Sequence, residues 1–500
     1  MEIIELKNII ADIDNFYGKP LSLLFKPFIN ENIFSFIKYG FLVIFNVYTN
    51  PKIKKIDISD ILQYKSLSFD KYFNLKNELD KVYCDLSLIN LKKEIFKSLS
   101  GPSKKNELRL NMSNYCSLRC KYCFQKEKNT HRLSLEQCYD QIDKFLEETS
   151  RDSTISVTMN MTSEPFLDFD SLRKVYNYLQ EKSLASFIKT LKKKDIYNFL
   201  NITTDDEYNE ILLKKDYYKS CFKNMDRRFI SDSLEDKLKN ISFSKDEEFI
   251  KNTNLEVIYT SMSAQKNIYY FFINTNGTIR PNKQQLQFLK KLYSQSHLGL
   301  SLDGDKKSST DRCYKNGKTS YNEVMKNIKF LRKNGIQLRI NCTLTEDHND
   351  ILKLIKFFEK HKLYNLGFNL KKGVYSKSLV ENIDKAFDAY YNGKIKSLYN
   401  LDSFFRFIET NEIACKNCNG DCRKTIGYDN EIYYCEYFIE KQQKNVVTTN
   451  VANRKPCNNC PFNYVCGGTC IALTNGTTEI HEGSCKLRKE IIKRSIFCLS

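Results

Sequence analysis

The sequence predicts an α/β fold built on parallel strands, with a smaller α+β region before it and a domain organised by metal after it. Three observations carry this expectation. Strand-then-helix patterning repeats across about 105–375; a cysteine triplet follows the first strand of that series; and cysteine density jumps from residue 411 onward, where regular periodicity fades.

Residues 1–104 form the first region, in which candidate helices alternate with the apolar run Tyr39-Gly40-Phe41-Leu42-Val43-Ile44-Phe45, read as a buried strand. The turn-forming stretch Gly101-Pro102-Ser103-Lys104-Lys105 marks its end. Across 105–375 strands are expected at 107–112, 154–160, 268–274, 297–302, 337–343 and 365–370, with helices such as 170–182, 322–333 and 350–362 between them. Such alternation implies parallel strands joined by right-handed crossovers, with cofactors and catalytic groups at the C-terminal ends of the strands. The interval at about 183–265 breaks the rhythm. It is rich in Lys, Asp and Asn and reads as a largely helical insertion, serving either substrate binding or no more than tolerated surface. Residues 376–410 read as connecting helices and 411–500 as the metal-organised domain.

At 500 residues the chain exceeds one ordinary core, and 41% hydrophobic residues suffice to build two or three. The net charge of +19 admits two readings: an acidic partner, or a composition skewed toward Lys, Asn, Ile, Tyr and Phe with little Gly or Pro. No compact basic block of nucleic-acid type stands out, so nucleic acid is not the expected partner. The opening Met1-Glu2-Ile3-Ile4-Glu5 lacks a basic stretch followed by an apolar run, and the apolar run 39–48 is too short to span a bilayer. A cytoplasmic protein without membrane contact is expected, and in that setting 18 cysteines point to metal rather than disulfides. Cys84, Cys138, Cys221, Cys313, Cys342 and Cys498 are scattered singly; the other twelve fall in two clusters.

The first cluster is Cys116-Ser-Leu-Arg-Cys120-Lys-Tyr-Cys123. A structural zinc site takes four ligands, usually as two Cys-x-x-Cys pairs, so three thiolates on one loop are either half of such a site or a set with one position open. A four-iron cluster held by three thiolates keeps one iron free to bind a chelating ligand. The stretch from Leu108-Arg-Leu-Asn-Met-Ser-Asn-Tyr-Cys116 through Phe124 resembles the opening of the radical S-adenosylmethionine (SAM) superfamily. The resemblance implies a partial (β/α)6 TIM-like barrel in which Cys116, Cys120 and Cys123 hold a [4Fe-4S] cluster whose open iron chelates SAM. It places Tyr122 near the adenine.

Further matches follow along the barrel. Thr162-Ser163-Glu164-Pro165 stands where the family has Gly-Gly-Glu-Pro, Thr275-Asn276-Gly277-Thr278 resembles the family's Thr-Asn-Gly, and Ser301-Leu302-Asp303-Gly304 closes the next strand. Arg312 and the stretch 316–321 resemble the approach to the following helix. Ser163, Glu164, Asn276, Ser301, Asp303 and Arg312 are the implied SAM contacts, though such residues also serve ordinary turns. The double glycine is lost, and Thr162 and Ser163 do not adopt positive φ as cheaply as Gly.

The second cluster contains Cys457, Cys460, Cys466 and Cys470, separated by two, five and three residues, then Cys485, with Cys415, Cys418, Cys422 and Cys435 upstream. Nine cysteines exceed one zinc site, and eight suit two four-ligand clusters. The pattern resembles the SPASM domain of radical SAM peptide maturases. Asn430 stands where that domain carries a glycine five residues before Cys435, and Asn is the residue best able to replace Gly at a left-handed position. The resemblance implies an outer auxiliary cluster on Cys457, Cys460, Cys466 and Cys485. It implies an inner one on Cys435, Cys470 and two of Cys415, Cys418 and Cys422.

The implied cofactors are three [4Fe-4S] clusters and SAM, and the implied activity is reductive cleavage of SAM to a 5′-deoxyadenosyl radical that abstracts hydrogen from a substrate. The leading expectation is oxidative modification of a ribosomally made precursor peptide, by thioether or carbon–carbon crosslinking or a related oxidation. An electron donor such as flavodoxin or ferredoxin would supply the reducing electron, and residues 1–104 would either bind the peptide's leader by strand addition or serve packing alone. A maturase of anaerobic sulfatases is the related alternative. A non-catalytic electron-transfer or scaffold protein and an RNA-modifying radical enzyme are the alternatives of other classes. No general base can be singled out from the sequence.

Overall fold

The computed structural model describes residues 33–49, 51–63, 68–87, 106–128, 130–149, 155–190, 269–293, 297–371, 373–410 and 423–500, with 412–414, 416, 204 and scattered positions before residue 29. The chain forms two compact units. The central unit holds 103–342 and 420–444; the terminal unit holds 1–102, 343–419 and 445–500.

The central unit is built on five parallel strands, β5 (Glu107–Leu110), β6 (Ile155–Met159), β7 (Tyr269–Thr275), β8 (Leu298–Ser301) and β9 (Leu338–Leu344), which lie side by side in chain order. An order without reversal is a barrel wall; a doubly wound sheet would reverse at a switch point. The connecting helices start where local chemistry dictates. Ser134 and Gln137 form a capping box ahead of Leu135–Glu148, and Asn282 and Gln285 do the same for Lys283–Leu292. The helix Phe169–Thr190 carries on past residue 182. Most of the interval read as an insertion, from 191 to 268, lies outside the described residues save Thr204, as does the turn at 101–105.

Alternation along the strands sorts the two faces of this wall. Leu108, Leu110, Val157, Met159, Phe271, Ile273, Leu298, Leu300 and Ile340 are buried. Their alternates Thr158, Asn274, Ser301 and Asn341 are half-buried, and Arg339 is exposed. A closed barrel would fill this second face with branched apolar side chains; here it carries these polar groups together with the exposed ring of Phe272. At Gly299 an added Cβ would stand 2.8 Å from Asn274 Oδ1, and the Asn341 amide donates to that same oxygen at 2.8 Å.

Two further strands join the wall. β11 (Arg423–Ile426) pairs parallel with β5, and β12 (Ile432–Tyr433) pairs antiparallel with β11. This hairpin lies in the stretch beyond residue 411 where the sequence shows little regular periodicity. Arg423 Nε donates to Glu107 Oε2 at 2.9 Å, and Arg109 binds both Glu107 and Glu436, so charge as well as backbone pairing fixes the register.

The terminal unit contains an antiparallel sheet of β1 (Ile4–Glu5), β2 (Phe34–Lys38), β3 (Phe41–Phe45) and β4 (Ile53–Asp57) in that order. The run 39–45 is therefore not all strand. Tyr39 and Gly40 both take positive φ, 49° and 86°, as a two-residue hairpin turn requires. Phe34 and Phe45 of the sheet meet Phe462 at ring distances of 5.2 and 6.0 Å, and Phe36 stacks on Phe497 at 5.8 Å. The same unit holds β10 (Leu366–Leu370), after which Lys371 N donates to Leu344 O at 2.9 Å. It also holds the helices Ile351–Lys360, Lys377–Tyr391, Phe405–Glu409 and Glu482–Leu499.

Candidate metal and cofactor centres

The loop carrying Cys116, Cys120 and Cys123 leaves the C-terminal end of β5 and is pinned along its length. Arg119 N and Lys121 N donate to the carbonyls of Cys313 and Asp311 at 2.7 and 3.0 Å, and Asn114 N donates to His131 O at 3.4 Å. All three thiols are half-buried. Burial raises the pKa of Cys120 to about 11, with the neighbouring thiols Cys123 and Cys116 and the carboxylate of Asp303 pushing the same way and Arg312 opposing. Burial raises Cys116 as well. Thiols that resist ionisation alone and crowd one another are what a bound cation relieves, so the set fits an iron–sulfur cluster. Donors to the sulfurs are in place: Lys128 Nζ reaches Cys123 Sγ at 3.4 Å, and Asn276 Nδ2 reaches Cys116 Sγ at 3.6 Å.

The strand ends around this loop bring most of the expected SAM contacts together. The Tyr122 hydroxyl donates to Asp303 Oδ2 at 2.5 Å and accepts from Arg312 Nη1 at 3.1 Å, while Arg312 Nη2 donates to Asn276 O at 3.4 Å. Burial drives the Tyr122 pKa well up, so the phenol stays neutral. Burial also works against the Arg312 charge, but Tyr122, Cys120 and Asp303 outweigh it and the guanidinium stays charged. Arg312 Nε and Ser163 Oγ are buried without a hydrogen-bond partner among the described residues. They are a cationic and a neutral donor suited to a carboxylate such as that of SAM.

Glu164 is 1% exposed. Its carboxylate accepts from Asn276 N at 2.6 Å, Thr275 Oγ1 at 2.7 Å and Phe166 N at 3.1 Å, and so ties the end of β6 to the end of β7. Burial raises its pKa against the pull of these donors and of Arg312. Ser301 stands half-buried at the end of β8. The left-handed residue of the β6 turn is Asn160, with φ 55°, so neither Thr162 nor Ser163 carries positive φ.

In the terminal unit, Cys457, Cys460, Cys466 and Cys485 line one pocket with Phe462, Asn463, Gly468 and Lys489. Burial, compounded by Cys466, Cys460 and Cys485, raises Cys457 to about 12; burial raises Cys460 to about 11. The four thiols thus converge from two short turns of helix, Cys457–Asn459 and Asn463–Cys466, and from the first turn of the long helix Glu482–Leu499, and fit a four-ligand cluster. The turn between Cys466 and Cys470 is made by Gly467 and Gly468, with φ 66° and 85°. Cys435 belongs to the central unit and Cys470 to the terminal unit, while Cys415, Cys418 and Cys422 lie outside the described residues. Asn430 takes φ 66° in the β11–β12 turn. Among the described residues no three His, Cys, Asp or Glu side chains gather on a single-ion position.

Sequence reasoning missed Lys128, Arg454, Arg488 and Lys489, the cations set around these thiols, and the Asn274–Asn341 pair on the open face of the wall. None sits at a motif position. Among the described residues no helix is long and apolar enough to cross a membrane.

No protein-family profile matches the chain, and no curated protein does. Solved structures do. The chain is similar to anSMEcpe solved with bound AdoMet and a peptide, at 15% identity over 78% of this chain and 96% of that one, with a TM-score of 0.50. A polyhistidine-tagged form of that protein with bound AdoMet matches over the same shares at 15% identity, with a TM-score of 0.51. Streptococcus suis SuiB bound to its precursor peptide SuiA aligns over 92% of this chain and 99% of that one at 13% identity, with a TM-score of 0.39. With its thiol loop at the ends of parallel strands, the chain has the fold of anSMEcpe, a protein solved with bound AdoMet.

Proposed function

We propose that this protein is a radical SAM enzyme with three [4Fe-4S] clusters that oxidatively modifies a ribosomally made peptide. The observation that carries the reading is the loop of three half-buried thiols at the strand ends, beside a charged Arg312 and the unpartnered Ser163 hydroxyl. Similarity to a protein solved with both AdoMet and a peptide supports a peptide substrate. When bound, the cluster and SAM together supply a 5′-deoxyadenosyl radical that removes a hydrogen atom from the substrate.

The chain's own residues position and shield. Arg312 offers its Nε to the SAM carboxylate and Ser163 adds a hydroxyl. Asp303 holds Tyr122 in place, Glu164 fixes the Thr275–Asn276 turn, and Asn276 and Lys128 donate to cluster thiolates. The face with Thr158, Asn274, Ser301 and Asn341 is the surface against which the substrate lies. The terminal-unit sheet ends in β4, the edge to which a leader strand would add. Sulfatase-type maturation remains the alternative substrate reading, and flavodoxin or ferredoxin the class of electron donor.

Anaerobic reconstitution followed by reduction with SAM tests this. The expected result is about twelve irons per chain, three clusters of four, with formation of 5′-deoxyadenosine that is abolished by Cys116→Ala. Stoichiometric zinc, or iron without SAM cleavage, overturns the reading.

A further inference from the structure

The pocket of Cys457, Cys460, Cys466 and Cys485 is surrounded by cations beyond what folding needs. Arg454 is 3% exposed, and its Nε and Nη1 have no hydrogen-bond partner among the described residues. Its Nη1 lies 3.3 Å from where a Cβ on the pocket-lining Gly468 would stand, and its charge acts on Cys457. A buried guanidinium with idle donors is costly unless an anion faces it. Arg488 Nε donates to Cys466 Sγ at 3.1 Å, and its Nη2 donates to Cys466 O. Lys489 lines the pocket and acts on Cys460 and Cys485.

From this arrangement we infer that Arg454, with Arg488, is the built-in counter-charge of the outer auxiliary cluster and raises its reduction potential. The inference rests on the cluster assignment proposed above. A cluster held by four thiolates is anionic and gains one more negative charge on reduction, so a fixed cation nearby favours the reduced state more than the oxidised one. Hydrogen bonds to cluster sulfur and net charge are the protein's means of setting such potentials. A low-dielectric pocket strengthens both effects, and the wall of Pro456, Phe462 and Ile480 supplies one. The idle Nε and Nη1 of Arg454 are the donors for cluster sulfur, and Gly468, lacking a Cβ, leaves Nη1 room against the pocket wall.

The test is a potentiometric titration of the reconstituted full chain followed by electron paramagnetic resonance, with Cys457→Ala used to assign the outer-cluster signal. Arg454→Gln is expected to lower that midpoint by at least a tenfold change in the reduced-to-oxidised ratio, 59 mV for one electron, while the signal of the cluster on Cys116, Cys120 and Cys123 stays put. Arg454→Lys restores part of the shift. Should Arg454→Gln lose the cluster, Arg488→Gln gives the same reading through Cys466. An unchanged midpoint in a variant with full iron content overturns the inference alone. A wild-type chain that takes up no iron overturns the cluster reading with it.

Discussion

Lys52 shows how a single side chain can hold the end of a helix distant in sequence. It is 4% exposed, and its Nζ donates to the carbonyls of Phe407, Thr410 and Glu412, the last two at 2.8 Å each. It therefore caps the end of the helix Phe405–Glu409, whose last carbonyls have no intrahelical partner. Burial lowers its pKa to about 8, with the Glu412 charge opposing. The unfolded state then binds more protons between about pH 8 and the ordinary lysine value near 10.4, so this residue adds stability as pH rises through that window. Lys52→Met is expected to lower stability by at least about 1–3 kcal/mol, the cost of orphaning one buried acceptor. The gap between wild type and variant should widen from pH 8 to 10 in chemical denaturation, and a gap that narrows would refute the assignment. No sequence signal pointed to Lys52. The grouping of Cys457, Cys460, Cys466 and Cys485 around one pocket was legible in their close spacing, and the left-handed turn at Asn430 was legible because few side chains tolerate it. The cations around the thiols, Lys128, Arg454, Arg488 and Lys489, lie only three to five residues from a cysteine, but at positions that no motif marks.

At the scale of elements, the six strands expected between 107 and 370 are all present as β5 to β10, since apolar runs separated by amphipathic helices leave a local imprint. β11 and β12 left none. They are four and two residues long, and β11 takes its register from β5, with Arg423 opposite Glu107, a pairing no local window contains. The Tyr39–Gly40 turn was hidden for a different reason: apolar residues continue on both sides of it. Among single positions in the wall, Gly299 is the most constrained. A methyl there would meet Ile273 O at 3.0 Å as well as Asn274 Oδ1. Gly299→Ala should cost about 1–3 kcal/mol through overpacking, read as a lowered thermal midpoint. It should also reduce SAM cleavage by disturbing the strand that ends in Ser301 and Asp303; an unchanged midpoint would show that the wall yields.

At the scale of the whole molecule, the chain is divided into two compact units that do not follow its order. Each has its own core, so calorimetry should resolve two transitions. Phe45→Ala, which empties a fully buried site facing Phe462, should lower only the terminal-unit transition, by about 3–5 kcal/mol of stability. A uniform shift of both transitions would contradict the division. The discontinuity was not legible, because the contacts that create it join the two ends of the sequence. Tyr48 and Asn463, hydrogen-bonded at 3.2 Å, are 415 residues apart. Translation at about 5–20 residues per second puts roughly 20–80 s between the emergence of those two residues. For that interval the apolar face of Phe34, Phe36 and Phe45 stands without Phe462 and Phe497, the rings it packs against in the folded sheet.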